Sequence, residues 1–138
     1  MKEINYPQLI EKAYLDLVRA CFSEVSHLSH FGKKNYFYIS FLTNYPGIVL
    51  ADRLKDRYPT EMTIVLQHEF YNLKVLNDSI LVDLSFDNIL EHIEIPFLSL
   101  TAFTDPYAQI HLEFHPILPK VEKFKKDNSS ENLIYFGK

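Results

Sequence analysis

The apolar residues of this chain change period once, at Asn35, and that change divides it into one helix followed by a run of strands. Before it, Ile10, Tyr14, Leu17, Cys21, Val25 and Leu28 recur at steps of three and four, a single stripe along a helix. Leu9, Ala13, Val18 and Phe22 widen the stripe. A stripe of this width has room to bury on a sheet and still present surface to a second subunit. Asn5 is placed to cap the helix, and Pro7 suits a first turn, where its missing N–H costs nothing. The predicted helix covers residues 7–29, and Gly32, after Ser29-His30-Phe31, suits a C-terminal cap.

Beyond Asn35 the signals are those of strands and turns. Residues 36–42 are aromatic and β-branched, hence a strand. Asn44-Tyr45-Pro46-Gly47 is a turn, because Pro presets one backbone angle and Gly accepts positive φ. Residues 48–50 read as a short strand, and residues 52–58 as a short helical turn stopped by Pro59. Residues 62–67 are close to a continuous apolar run, which predicts a strand buried on both faces. Residues 71–76 and 80–86 flank Asn77-Asp78-Ser79, and Phe86 and Ile89 flank Asp87-Asn88; both are hairpin signals. Residues 89–95 are the partner strand, and Pro96 then breaks the ladder. Residues 97–103 make a further packed segment, and residues 109–114 the last strand. One helix followed by short antiparallel strands predicts an α+β fold, mainly β, with the helix against a small, strongly bent sheet or barrel over residues 35–115.

Bulk properties narrow the function. A length of 138 residues suits one domain, and an apolar share of 47% is enough for a real core. No apolar run reaches the length of a membrane span, and the opening Met-Lys-Glu-Ile-Asn-Tyr-Pro lacks a signal-peptide pattern. Cys21 is the only cysteine, so no internal disulfide is possible and a reducing cytoplasm fits. Its place in the helical stripe marks it as a small hydrophobe rather than a nucleophile. Charge is uneven along the chain. Residues 1–119 hold nine Lys and Arg against fifteen Asp and Glu, a net of −6, whereas residues 120–138 hold five against three, a net of +2. A body this acidic repels a phosphate backbone, which argues against nucleic-acid binding.

Catalytic and metal-binding patterns do poorly. His111 and His115 on a strand point the same way but stand roughly 13 Å apart, too far to share a metal. His27 and His30 have helical spacing, but no carboxylate or cysteine at a recognisable ligand spacing accompanies them. No Gly-x-Ser-x-Gly is present, and three glycines leave no Gly-rich phosphate loop. Glu91/Glu94 and Asp83/Asp87 are what a solvated strand face carries. No enzyme activity, cofactor or metal is expected. The competing expectation is a small β-barrel enzyme using His68 or His92 as acid and base, which requires a concave polar pocket with two titrating groups.

The C-terminal segment has a different character. Residues 119–132 have few apolar residues and read as a disordered, flexible linker. Leu133, Ile134, Tyr135 and Phe136 then form an apolar cluster, followed by Gly137 and the basic Lys138. Such a cluster either folds back on its own domain or docks on a partner, and the polar spacer favours a partner.

One stretch carries a wider resemblance: Tyr58-Pro-Thr-Glu-Met-Thr-Ile-Val-Leu-Gln-His-Glu-Phe-Tyr-Asn-Leu73. Tyr38-Ile-Ser-Phe41, Pro46-Gly47, Leu84-Ser-Phe86, Ile95-Pro-Phe97, Phe103-Thr-Asp-Pro106 and Gln109 extend it, in order, over about residues 7–115. The chain resembles the SspB family of bacterial adaptors for the ClpXP protease, in the branch with a long N-terminal helix. The resemblance implies a tag-binding domain over residues 1–118 built as an Sm-like β-barrel. It implies a homodimer through the N-terminal helix, where Tyr14, Leu17 and Cys21 would meet the partner. It implies a groove that binds ssrA-tagged proteins, with Gln67, His68, Leu84 and Phe86 as contacts. Ordinary core is the alternative reading for Leu84 and Phe86. It further implies that residues 133–138 dock on ClpX, with Leu133, Ile134, Tyr135, Phe136 and Lys138 as the contacts. The linker departs from some members in being short and slightly basic rather than long and acidic. An Sm-like fold alone also admits an RNA-binding module; a neutral, apolar groove would favour a tag and a strongly positive one RNA.

Overall fold

In the computed structural model, which describes residues 3–27, 36–67 and 69–119, the first element is helix α1, Tyr6–Val25. Asn5 caps it as expected: the Gln8 N–H donates to Asn5 Oδ1 at 3.1 Å, and Pro7 occupies the first turn. The helix stops at Val25, short of the residue 29 expected from the stripe. Ser26 explains part of this, because its hydroxyl donates to the Ser23 carbonyl at 2.8 Å and competes with helical bonding. The expected cap Gly32 lies outside the described residues.

Burial splits α1 in two. Val18, Phe22 and Val25 are buried, with Leu15 and Cys21 packed at the margin. The part from its start to Leu17 leaves one side uncovered: Leu9 is 53% exposed, Ile10 47%, Tyr14 38% and Leu17 45%.

Strands β1 (Phe37–Leu42), β2 (Glu61–Leu66), β6 (Leu100–Asp105) and β7 (Ile110–Glu113) form one antiparallel sheet in the order β2-β1-β6-β7. Strands β3 (Tyr71–Val75), β4 (Ser79–Phe86) and β5 (Ile89–Pro96) form a second, in the order β3-β4-β5. Ile39, Phe41 and Ile64 from the first sheet and Ile80, Val82, Ile93 and Ile95 from the second belong to one buried cluster. The bent barrel is thus built as two sheets around a shared core, and the fold is α+β, mainly β.

Strand β2 corrects one expectation. Met62, Ile64 and Leu66 point in while Glu61, Thr63 and Val65 point out, so it is buried on one face only. It is an edge strand of an antiparallel sheet whose outer face meets solvent, where Thr63 and Ser40 share a hydroxyl hydrogen bond of 2.7 Å. Residues 48–50 are also not a strand: Val49 alone bridges Glu94. The Asp87-Asn88 hairpin is as read, with φ of 55° and 66° at its two central residues, the left-handed pair a tight hairpin needs. Helix α2, Asp52–Arg57, is the expected short turn, and its Leu54 is fully buried. After β5, a 3-10 turn at Phe97–Ser99 leads into β6.

Helix α1 joins the two sheets. Phe22 lies 5.2 Å from the ring of Phe37 and 6.1 Å from that of Phe103, which are themselves 4.9 Å apart, all in inclined geometries that suit aromatic quadrupoles. Arg19 reaches the other way. Its Nη2 donates to the Asn77 carbonyl at 2.8 Å, in the turn between β3 and β4, and its guanidinium sits 4.7 Å over the Phe97 ring. A third tie comes from far along the chain: the His115 N–H donates to Glu11 Oε1 at 3.0 Å, and its ring nitrogen lies 2.6 Å from Glu11 Oε2. The chain therefore leaves the body beside the uncovered part of α1.

Replacing Phe22 with Ala leaves a hole bordered by two aromatic rings. We expect it to cost about 3–5 kcal/mol of stability, read from urea unfolding, whereas Leu9→Ala on the uncovered part changes it by less than about 0.5 kcal/mol.

Candidate functional site

A groove of about 150 Å³ opens where the end of β4 faces β2. Val65 of β2, Glu69, Tyr71 of β3, and Leu84, Ser85 and Phe86 of β4 line it. Its volume is below that of ordinary small-molecule pockets and suits one ring-sized side chain. The sheet architecture places these groups. Val65 is on the outer face of β2, Leu84 points into the core with its edge at the groove, and Phe86 is half-buried at the last rung, paired with Ile89. Among the described residues, strand β2 is hydrogen-bonded to β1 alone, at the edge of its sheet.

Among the described residues that line the groove, Glu69 alone is charged. The Tyr71 hydroxyl donates to Glu69 Oε1 at 3.2 Å, and the Glu69 charge raises the Tyr71 pKa above its ordinary value. The lining mixes apolar side chains with polar groups and carries one carboxylate, with no lining cation among the described residues. It suits a peptide segment and would repel a phosphate backbone.

The residues expected at the site divide. Leu84 and Phe86 are brought together in the groove, and Leu84, at 6% exposure, serves the core at the same time. Gln67 follows β2 two positions after Val65 and is half-buried, but it is not among the lining residues. His68 lies outside the described residues, as do Leu133, Ile134, Tyr135, Phe136 and Lys138 and the linker from residue 120. Val65, Glu69, Tyr71 and Ser85 were not expected. The available signal was the period of β2, which sends Val65 outward, and an aromatic opening β3.

At the expected dimer face, Tyr14 and Leu17 are exposed and Cys21 is half-buried. Burial raises the Cys21 thiol pKa, and Asp105 and Glu24 add to the effect, which favours the thiol over the thiolate.

His92, the candidate acid or base, is on the outer face of the second sheet and does not line the groove. Its Nδ1 lies 2.7 Å from Asp83 Oδ1 and its Nε2 2.8 Å from Glu94 Oε2, while Asn72 Nδ2 donates to Asp83 Oδ2 at 2.8 Å. An imidazolium satisfies both carboxylates. Asp83 and then Glu94 raise the His92 pKa, and Asn72 and then His92 lower that of Asp83. This is a cross-strand tie rather than a catalytic pair in a cleft.

The raised His92 contributes fully below its ordinary value of 6.5 and loses that contribution as pH rises through the folded value. The lowered Asp83 contributes above 3.8 and loses it as pH falls further. His92→Gln should therefore lower the urea midpoint most between about pH 4 and pH 6.5, with the gap to the unmodified protein narrowing by about pH 9. A gap independent of pH would show that the ring acts by packing alone.

No curated protein matches the chain. A sequence profile described as SspB, stringent starvation protein B, matches residues 8–133. The match takes in every strand, nearly all of α1 and the linker, and stops at the first residue of the apolar C-terminal cluster. Collinear agreement over this span, on a chain with the fold expected of it, means that the protein belongs to the SspB, or stringent starvation protein B, family.

Proposed function

We propose that the protein is an adaptor that holds ssrA-type degradation tags in the groove between β2 and β4 and delivers the tagged proteins to ClpXP. The family match over residues 8–133 carries this reading. The groove supports it, being sized for a side chain of an extended peptide rather than for a whole small molecule. Main-chain groups on the edge of β2 away from β1 can bond an extended chain, while the pocket of Phe86, Leu84 and Val65 takes an alternate side chain. Gln67 and His68, next along from β2, are the proposed polar contacts at its rim, Gln67 offering an amide that both donates and accepts.

Delivery is by tethering, in the cytoplasm, with no chemistry in this chain. Residues 133–138 dock on ClpX. A flexible linker of this length spans on the order of 20 Å root-mean-square. Two such tails on a homodimer hold the tag near the unfoldase at an effective concentration of roughly millimolar. The uncovered part of α1 supplies the dimer face, and the Glu11–His115 tie starts the tail beside it.

Four outcomes follow. Phe86→Ala weakens binding of a fluorescein-labelled ssrA peptide, measured by anisotropy, by about tenfold or more. Gln67→Ala has a smaller effect of the same sign. Removal of residues 133–138 leaves peptide affinity in place and abolishes acceleration of ClpXP degradation; equal loss of both would make the tail part of the fold. Leu17→Asp puts a charge in the proposed dimer face and converts the protein to a monomer in sedimentation equilibrium with little change in helix content.

A further inference from the structure

The geometry points to Arg53 of α2 as the residue that positions the groove wall, an inference that rests on the peptide-groove reading above. Its guanidinium makes three kinds of contact with the β4–β5 hairpin. Nε donates to Glu91 Oε2 at 2.8 Å, Nη1 to Asp87 Oδ2 at 3.1 Å, and Nη2 to the Phe86 carbonyl at 3.0 Å. Arg57, one helical turn on, donates to the same Asp87 oxygen at 3.1 Å.

The hairpin tip needs such a hold. Ile89 is 51% and Leu90 53% exposed, so the residues after the turn are not planted in the core. The turn has two residues, both left-handed, and the ladder stays paired up to Phe86 and Ile89, so it has no slack. A displacement of Asp87 is therefore passed to Phe86. Helix α2 is a firm base for the clamp because Leu54 is fully buried. The bond to the Phe86 carbonyl sets that peptide plane and with it the direction of the ring lining the groove. Arginine is suited to this place, since its planar fork spans three acceptors at once, whereas a lysine ammonium is a single point. Arg53 does not line the groove, so it acts through Phe86.

The test measures ssrA-peptide anisotropy with Arg53→Gln, Arg53→Lys, Arg19→Gln, Phe86→Ala and the Arg53→Gln/Phe86→Ala double variant, alongside amide hydrogen exchange over residues 84–89. We expect Arg53→Gln to weaken binding on the order of tenfold, chiefly through faster dissociation, and to speed exchange at the hairpin. Arg53→Lys should recover only part of the affinity. Arg19→Gln, which cuts the tie of α1 to the β3–β4 turn, should lower stability and leave both readouts in place. In the Phe86→Ala background, Arg53→Gln should add little, as expected of two residues acting as a unit. Unmodified protein that binds while Arg53→Gln binds equally well overturns the positioning role alone. So does a tenfold loss that persists undiminished without Phe86. Unmodified protein that does not bind the peptide at high micromolar concentration overturns the groove reading, and the role of Arg53 with it.

Discussion

The contact on which the rest of the structure depends is the packing of Phe22 against the paired rings of Phe37 and Phe103. Two small sheets of four and three strands share one apolar core, and neither sheet alone buries its inner face. The single long helix is fastened to both. Phe22 seats it on β1 and β6, and Arg19 ties it to the β3–β4 turn and to Phe97. Burial of three aromatic rings supplies the larger energy, and the directional bonds of Arg19 set where along the helix the contact falls.

The division of α1 follows from that anchoring. The part from Val18 on is used up as core, while the part up to Leu17 carries Leu9, Ile10, Tyr14 and Leu17 in the open. The function proposed here draws on this division. One end of the helix serves the fold, and the other is the proposed assembly face, beside the point where His115 is tied to Glu11. The groove lies elsewhere, at the end of β4, so the proposed peptide binding and the proposed assembly draw on different residues. An adaptor whose task is to hold one partner while reaching another needs this separation.

What could be read in the chain was local. Asn5 and Pro7 gave the helix start because capping is decided within a few residues, and Asp87-Asn88 gave a hairpin because both positions accept positive φ. The helix end was less legible, since the apolar stripe continues to Leu28 while the backbone turns at Ser26. The burial of strand β2 is hard to read because Met62 to Leu66 is mostly apolar whichever face is buried; that Val65 faces out is set by which face of the sheet packs on the core. The groove was legible only in part. Leu84 and Phe86 came from resemblance, whereas Val65, Glu69 and Tyr71 join them only when β2 and β3 are brought beside β4. The Arg53 clamp spans more than thirty positions in sequence, and nothing in Asp52-Arg-Leu-Lys-Asp-Arg announces its partners.

The proposed function requires an extended peptide to lie where β4 meets β2. The most direct measurement is an amide and methyl chemical-shift map of the isotope-labelled protein titrated with unlabelled ssrA peptide. Saturable shifts are expected at Val65, Glu69, Tyr71 and Leu84 to Phe86, with the uncovered part of α1 unmoved. Shifts centred on Leu9 to Leu17, or spread over the outer face around His92, would contradict the proposal.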